Sequence, residues 1–289
     1  MAARERTERK DQPQMNTDQH RSDDSGFRVI GDCTLIHGDS LVALQKIDSK
    51  SIDMVFTDPP YGHNNNNGDL IHNREKALGK KTPKTKCDAR PIANDGAEAN
   101  GLFLWSAHQF ARVLRHGGCC CCCCCCGGGG PDPQFARWAL WMDMPMEFLQ
   151  MVVWDKGPMG MGWHYRRSYE TVLVAKKRGG KTRWYDTSHR IENIIRPGTG
   201  VRKIIPNARQ HPTEKPVSLA EHFIQLHTQP GDTVLDPFMG CGSTAEACVN
   251  LGRKFVGIEI SQSFFDDSCE RVSKTIARKS GGSPTTPRP

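Results

Sequence analysis

Asp58-Pro59-Pro60-Tyr61 puts a carboxylate, two prolines and a phenol into four consecutive residues. The prolines fix φ and remove backbone donors, so the carboxylate and the ring are held on a rigid turn. Such a turn presents the acid, a backbone carbonyl with no competing N–H, and an aromatic face. Those three groups together are suited to gripping the exocyclic amino group of a flat base. Taken alone, the tetrapeptide is equally a proline-rigid surface turn. A second constellation lies about 180 residues downstream, in Asp236-Pro237-Phe238-Met239-Gly240-Cys241-Gly242-Ser243-Thr244. Gly240 and Gly242 allow a tight turn and close approach to a ligand. Glu259 follows Gly240 by 19 residues, where nucleotide folds place an acid that accepts ribose hydroxyls. The loop is not G-x-G-x-x-G, and it lacks the Lys and Ser/Thr of a phosphate loop. It therefore fits a nucleoside without a pyrophosphate.

These residues need elements to position them. Ile52 to Thr57 reads as a short buried strand that ends at the tetrapeptide,. Thr233 to Asp236 is a strand before the glycine loop, a helix runs through Leu251, and Lys254 to Ile260 is the next strand. Cys33 to His37 reads as a strand, and Ser40 to Ile47 as a short helix capped by Asp39 or Ser40,. Leu102–Leu114, Pro133–Met142 and Val217–Thr228 read as helices, and Phe148–Trp154 and Thr171–Ala175 as strands. Strands alternating with helices imply an α/β fold: a doubly wound, Rossmann-like, mostly parallel sheet covered on both faces. Residues 1–26 and 278–289 read as disordered tails, which leaves 27–277 as the folded domain,. Residues 62–100 read as a mobile loop, and 176–210 as a basic segment broken by Gly and Pro,.

The 289 residues are 25% charged and 37% hydrophobic, an ordinary globular balance,. No apolar run approaches the ~20 residues of a membrane span, and the polar N-terminus has no secretory h-region. That leaves the cytoplasm as the default compartment. A net charge of +7 fits a polyanionic partner such as DNA, although many non-binders are equally basic. Thirteen cysteines overstate the thiol chemistry, because eight form one block, Cys119 to Cys126, followed by Gly127 to Gly130. Zinc ligands need spacing so that four sulfurs converge. The block reads as standing for an apolar stretch, and no metal chemistry is placed on it. The scattered Cys33, Cys87, Cys241, Cys248 and Cys269 fit a reduced compartment,.

Together these motifs resemble the S-adenosylmethionine-dependent amino-methyltransferases of DNA. Thr57-Asp58-Pro59-Pro60-Tyr61-Gly62 is similar to the family's catalytic motif, and Val234 to Thr244 to its cofactor motif. His211-Pro212-Thr213-Glu214-Lys215-Pro216 resembles the segment leading into the preceding helix. The catalytic motif comes first, the permuted order of the beta group. His37-Gly38-Asp39-Ser40 resembles that group's N-terminal motif, and Tyr165-Arg166-Arg167-Ser168-Tyr169-Glu170 a later motif beside the target base. The resemblance spans about residues 27–275, and the Cys/Gly block departs from it where the family has a strand and connection. It implies catalytic roles for Asp58, Pro59, Pro60 and Tyr61. It implies cofactor binding by Asp39, Asp58, Lys215, Asp236, Phe238, Gly240, Gly242, Ser243, Thr244 and Glu259, with Asp39 at the adenine.

The implied activity is methylation of adenine N6 in double-stranded DNA, by a bacterial or phage-encoded enzyme that is an orphan or half of a restriction–modification pair. Aspartate at position 58 favours adenine, whereas cytosine-N4 members usually carry serine there. The enzymatic rival is a cytosine-N4 methyltransferase; a different class is a catalytically silent DNA-binding regulator, against which an intact Asp58, Tyr61 and glycine loop argue. RNA and protein methyltransferases usually place the cofactor loop first. Arg166, Arg167, Lys177, Arg178, Arg183, Arg190, Arg202 and Lys203 are candidates for DNA contact,. Each is equally readable as part of a solvated basic loop. The resemblance also implies a small basic target-recognition insertion, with 176–210 as its candidate segment, allows a homodimer and calls for no metal.

Overall fold

The computed structural model describes residues 26–62, 92–124, 134–157, 168–196 and 214–281. Residues 1–25 of the tail expected at 1–26 and most of the loop expected at 62–100 lie outside them. Strands β1 (Phe27–Ile30), β2 (Cys33–His37), β3 (Ile52–Thr57), β4 (Leu114–Cys124), β5 (Glu147–Asp155), β6 (Tyr169–Lys176), β7 (Ile194–Ile195), β8 (Thr233–Asp236) and β9 (Lys254–Glu259) form one sheet. Their order is β1-β2-β9-β8-β3-β4-β6-β5-β7. The run from β2 to β4 is parallel, as expected; β1 and β6 pair antiparallel with their neighbours.

Helices cover both faces. One core joins α4 (Val217–His227), α5 (Ser243–Leu251) and α6 (Gln262–Gly281) to the sheet through Phe223, Ala245 and Val272. The other joins α1 (Ser40–Ala43), α2 (Ala99–Val113) and α3 (Gln134–Asp143) through Leu44, Phe110 and Trp138. α1 is shorter than the expected helix because Leu44–Lys46 tightens into a 3-10 turn. Its cap is Asp39, whose carboxylate accepts the Leu41 N–H at 2.8 Å,. β1 and α6 carry no expectation from sequence. α6 extends past Arg278, where the C-terminal tail was expected to begin, and Phe264, Phe265, Ser268, Val272 and Thr275 form its buried stripe.

β4 is the strand built by the cysteine block. Cys119 to Cys124 are fully or almost fully buried between β3 and β6. Strand alternation sends Cys120, Cys122 and Cys124 into one core and Cys121 and Cys123 into the other,. The sulfurs are thus divided between two faces, and burial pushes the Cys119 thiol up to about 12,. The block fills a central strand as an apolar stretch would. Among the described residues no group of three His, Cys, Asp or Glu could hold a metal ion, and no helix is long and apolar enough to cross a membrane.

Candidate active site

β3 and β8 lie side by side, yet their crossovers leave in opposite directions: β3 leads through α2 to β4, and β8 leads through α5 to β9. That divergence opens a crevice at the carboxyl ends of the two strands, the usual ligand position in doubly wound sheets. A solvent-open cleft of about 1110 Å³ lies there. Asp39, Asp58, Tyr61, Lys215, Gly240 and Glu259 line it, so residues more than 200 positions apart in sequence share one wall.

Asp58 is held in the cleft through both carboxylate oxygens. One carboxylate oxygen accepts the Tyr61 hydroxyl, and the other accepts the Lys215 ammonium at 2.6 Å. Lys215 is 7% exposed. Its nitrogen also stands 3.4 Å from Glu170 Oε2 and 5.3 Å from the centre of the Tyr61 ring. Lys156 completes the row by donating to Glu170 Oε1 at 2.6 Å. Burial lifts the Asp58 carboxyl above its ordinary range, against the pull of Lys215 and Tyr61,. Burial also disfavours a charged Glu170, but the two ammonium groups outweigh it and hold that carboxyl low. Lys215 stays firmly protonated, because Asp58 and Glu170 outweigh its desolvation. The sequence reading grouped Lys215 with the cofactor residues; its amine lines the cleft and donates to Asp58. Glu170 lay within a quoted motif without a role, and Lys156 carried no sequence signal.

Tyr61 is fixed from several sides. Asp95 Oδ1 accepts the backbone N–H of Tyr61 at 2.9 Å and of Gly62 at 2.8 Å. The Gln134 side-chain amide donates to the Tyr61 carbonyl. The ring lies 6.0 Å from that of Trp138, which stacks on Phe103 at 3.9 Å and donates to Asn100 at 3.1 Å. The Pro–Pro turn is therefore anchored by groups from α2, α3 and the approach to α2. Asp95 escaped the sequence reading because its segment is polar and lacks periodicity.

The second constellation meets the first through Asp236. Its Oδ1 accepts the Thr57 hydroxyl at 2.7 Å and the Phe238 N–H at 3.1 Å, while Oδ2 accepts the Thr244 hydroxyl at 2.7 Å. One buried carboxylate thus ties β3 to the glycine loop. Glu259 closes the loop from β9, accepting the Gly240 N–H at 3.0 Å and the Ser261 N–H at 2.8 Å. Each carboxylate oxygen has two lone pairs, so these bonds leave acceptor capacity for a ribose. Gly242 adopts φ +81°, and a Cβ there would meet Ser268 Oγ at 3.0 Å and Ser268 Cα at 3.2 Å. A side chain at 242 would therefore strain the backbone and push α6 from the loop.

Burial pushes the Asp236 carboxyl up to about 7, despite its three donors, with Asp58 adding repulsion. The native state then holds this proton between pH 4 and 7 while the unfolded chain releases it. Stability from this group is full below the ordinary carboxylate pKa and is lost as pH rises through 7. The loss is about 4 kcal/mol. In Asp236→Asn that pH dependence disappears: urea midpoints measured from pH 4 to 8 fall less steeply than in the parent chain. Parallel profiles would show that Asp236 is not elevated.

The candidates for DNA contact divide. Arg166, Arg167, Arg202 and Lys203 lie outside the described residues. Lys177, Arg178 and Arg183 sit at the opposite end of the sheet from the cleft, because β6 runs antiparallel and leaves the active edge at Tyr169. Lys177 donates to the Arg112 carbonyl, Arg178 to the Asp143 carbonyl, and Arg183 pairs with Asp53 at 2.7 Å. Arg190 lies in the irregular stretch before β7 and is exposed.

Comparison with known proteins agrees with this geometry. The type II methyltransferase M2.DpnII of Streptococcus pneumoniae is 27% identical over 257 residues, covering 82% of this chain and 88% of that protein. The crystal structure of an M1.HpyAVI–SAM complex superposes with a TM-score of 0.55 at 24% identity, covering 83% of this chain and 99% of the other. The PvuII DNA methyltransferase, described as cytosine-N4-specific, reaches 0.61 at 16% identity over 85% and 92% of the two chains. The sequence model of the N6/N4 DNA methylase family matches residues 52–270, from the start of β3 into α6. With its Asp58–Tyr61 turn and glycine loop both inside that span, the chain belongs to this DNA methylase family.

Proposed function

We propose that the protein is a site-specific adenine-N6 methyltransferase acting on double-stranded DNA. The observation that carries this is the shared cleft: the Asp58 carboxylate and the Gly240 loop face the same space. The methyl donor is S-adenosylmethionine. Gly240, Gly242, Phe238, Ser243 and Thr244 shape its loop, Glu259 takes the ribose, and Asp39 serves the adenine side. The loop accommodates a nucleoside with no pyrophosphate to bind, in keeping with that donor.

The amine of adenine is a poor nucleophile because its lone pair is delocalised into the ring. Asp58 and the Pro59 carbonyl accept its two hydrogens and draw the nitrogen toward tetrahedral geometry. The freed lone pair attacks the methyl carbon in line. S-adenosylmethionine would supply an electrophilic methyl group whose carbon–sulfur bonding electrons leave with the thioether, and the Asp58 carboxylate is placed to take the proton that the nitrogen gives up. Positioning supplies most of the acceleration. The base must leave the duplex first, at a cost of a few kcal/mol; stacking on Tyr61 returns ~1–3 kcal/mol. The anchoring of Tyr61 by Asp95, Gln134 and Trp138 supports this use, since a fixed ring loses little entropy when a base stacks on it. We assign phosphate contacts to Arg166 and Arg167, which precede the cleft-end residues of β6 in sequence, and to Arg202 and Lys203, which precede Lys215.

The likeness to the PvuII enzyme, described as cytosine-N4-specific, is one of fold, so the preference for adenine rests on aspartate at 58. Nucleoside mass analysis of DNA treated with the pure protein and S-adenosylmethionine tests it. The expected product is N6-methyldeoxyadenosine. N4-methyldeoxycytidine would overturn the base assignment, and DNA binding with no methylated nucleoside would mark a silent regulator.

A further inference from the structure

Asp58, Lys215, Glu170 and Lys156 form a row of alternating charge, with contacts of 2.6, 3.4 and 2.6 Å. Only Asp58 and Lys215 line the cleft; Glu170 and Lys156 stand behind. Glu170 is 13% exposed, and among the described residues its buried Oε2 has no hydrogen-bond donor, facing Lys215 at ion-pair range. A hydrogen-bonding role alone would not explain an acceptor left in that state. A charge role does, because electrostatic attraction acts at 3.4 Å without a donor aligned to it.

The ligand assigned to this cleft raises a difficulty that the row resolves. S-adenosylmethionine carries a positive sulfonium, and an unbalanced buried ammonium on the cleft wall would repel it. Asp58 balances Lys215, and Glu170 balances Lys156, so the four groups sum to zero. We propose that Glu170, anchored by Lys156, is a positioning residue that holds Lys215 on Asp58 and neutralises the ammonium on this side of the cleft, making it receptive to a cationic sulfur. This rests on the assignment of S-adenosylmethionine above. It adds that the row sets the preference between the charged donor and the neutral thioether product.

Two single substitutions in the full chain test it, with S-adenosylmethionine and S-adenosylhomocysteine titrated separately by calorimetry. Glu170→Gln keeps the acceptor for Lys156 but leaves the row with one excess positive charge. The expected result is about tenfold weaker binding of the sulfonium ligand, with thioether affinity changed less than about twofold. Lys156→Met leaves one excess negative charge and shifts the ratio toward the sulfonium, by a smaller factor because Lys156 is 32% exposed,. Its opposite sign decides the question alone should Glu170→Gln unfold. Equal changes for both ligands in either folded variant overturn the proposal and leave Glu170 structural. Failure of the unaltered chain to bind either ligand overturns the cofactor assignment instead, and this inference falls with it.

Discussion

Replacing Asp58 with Ala is expected to lower single-turnover methyl transfer by about 10²–10³-fold, the range seen when one preorganised polar partner of a transition state is removed. The substitution deletes the acceptor that draws the amine nitrogen out of conjugation, so the loss appears in the chemical step. It also strips Lys215 of its nearest anion. Glu170 remains at 3.4 Å, so the ammonium keeps a counter-charge and the fold is expected to survive, unlike a buried charge left with no partner. The variant wall gains positive charge, which weakens the sulfonium ligand. S-adenosylhomocysteine is therefore the fair reporter of an intact cleft, and its affinity is expected to persist. The glycine loop supports this, since Gly240 is tied to Glu259 and Thr244 to Asp236, without Asp58. Methylation undiminished in Asp58→Ala would refute the assignment of the catalytic acid.

Legibility in the sequence followed the range of the determining interaction. β3 and β8 match their expected bounds, and β2 does also, because a short apolar run bounded by turn residues is a local signal,. The Pro–Pro turn and the glycine loop were legible for the same reason: backbone chemistry in a few residues dictates both. Lys215, Glu170 and Lys156 were not legible as a unit. Their relation exists only once the segment before α4, the start of β6 and the end of β5 converge on Asp58. Asp95 is similar, since nothing in a polar stretch marks which carboxylate will receive two amides of a turn more than thirty residues earlier. The basic residues around 176–183 stood out by composition alone. Charge density identifies a surface that favours anions, but strand direction decides which end of the sheet that surface occupies.

Asp53 shows how far that last point reaches. It lies in a fully buried strand that is apolar from Met54 to Phe56, and its side chain is 2% exposed. Burying a carboxylate there requires partners. Arg183 supplies one at 2.7 Å, Arg115 another at 3.1 Å, and the Thr233 N–H donates to the second oxygen at 2.9 Å. Arg183 also reaches Asp232 at 3.3 Å. These contacts join β3, β8 and the segment after β6 at the end of the sheet far from Asp58, roughly 16 Å along the strand. Asp53→Ala leaves a buried amide without its acceptor and removes the anion shared by two guanidinium groups. Breaking a buried pair costs about 3–5 kcal/mol. Arg183 is 27% exposed and partly recovers hydration, so the lower end, about 3 kcal/mol, is expected. The measurement is the urea midpoint at unchanged m-value. Asp53→Asn keeps an acceptor for Thr233 and loses less. The same geometry separates two roles for Arg183. As a structural partner of Asp53, Arg183→Ala lowers the midpoint and leaves DNA affinity and its salt dependence unchanged. As a phosphate contact, it does the reverse, weakening DNA binding and flattening the salt slope by about one. With the guanidinium committed to two carboxylates at the far end of the sheet, the first outcome is expected.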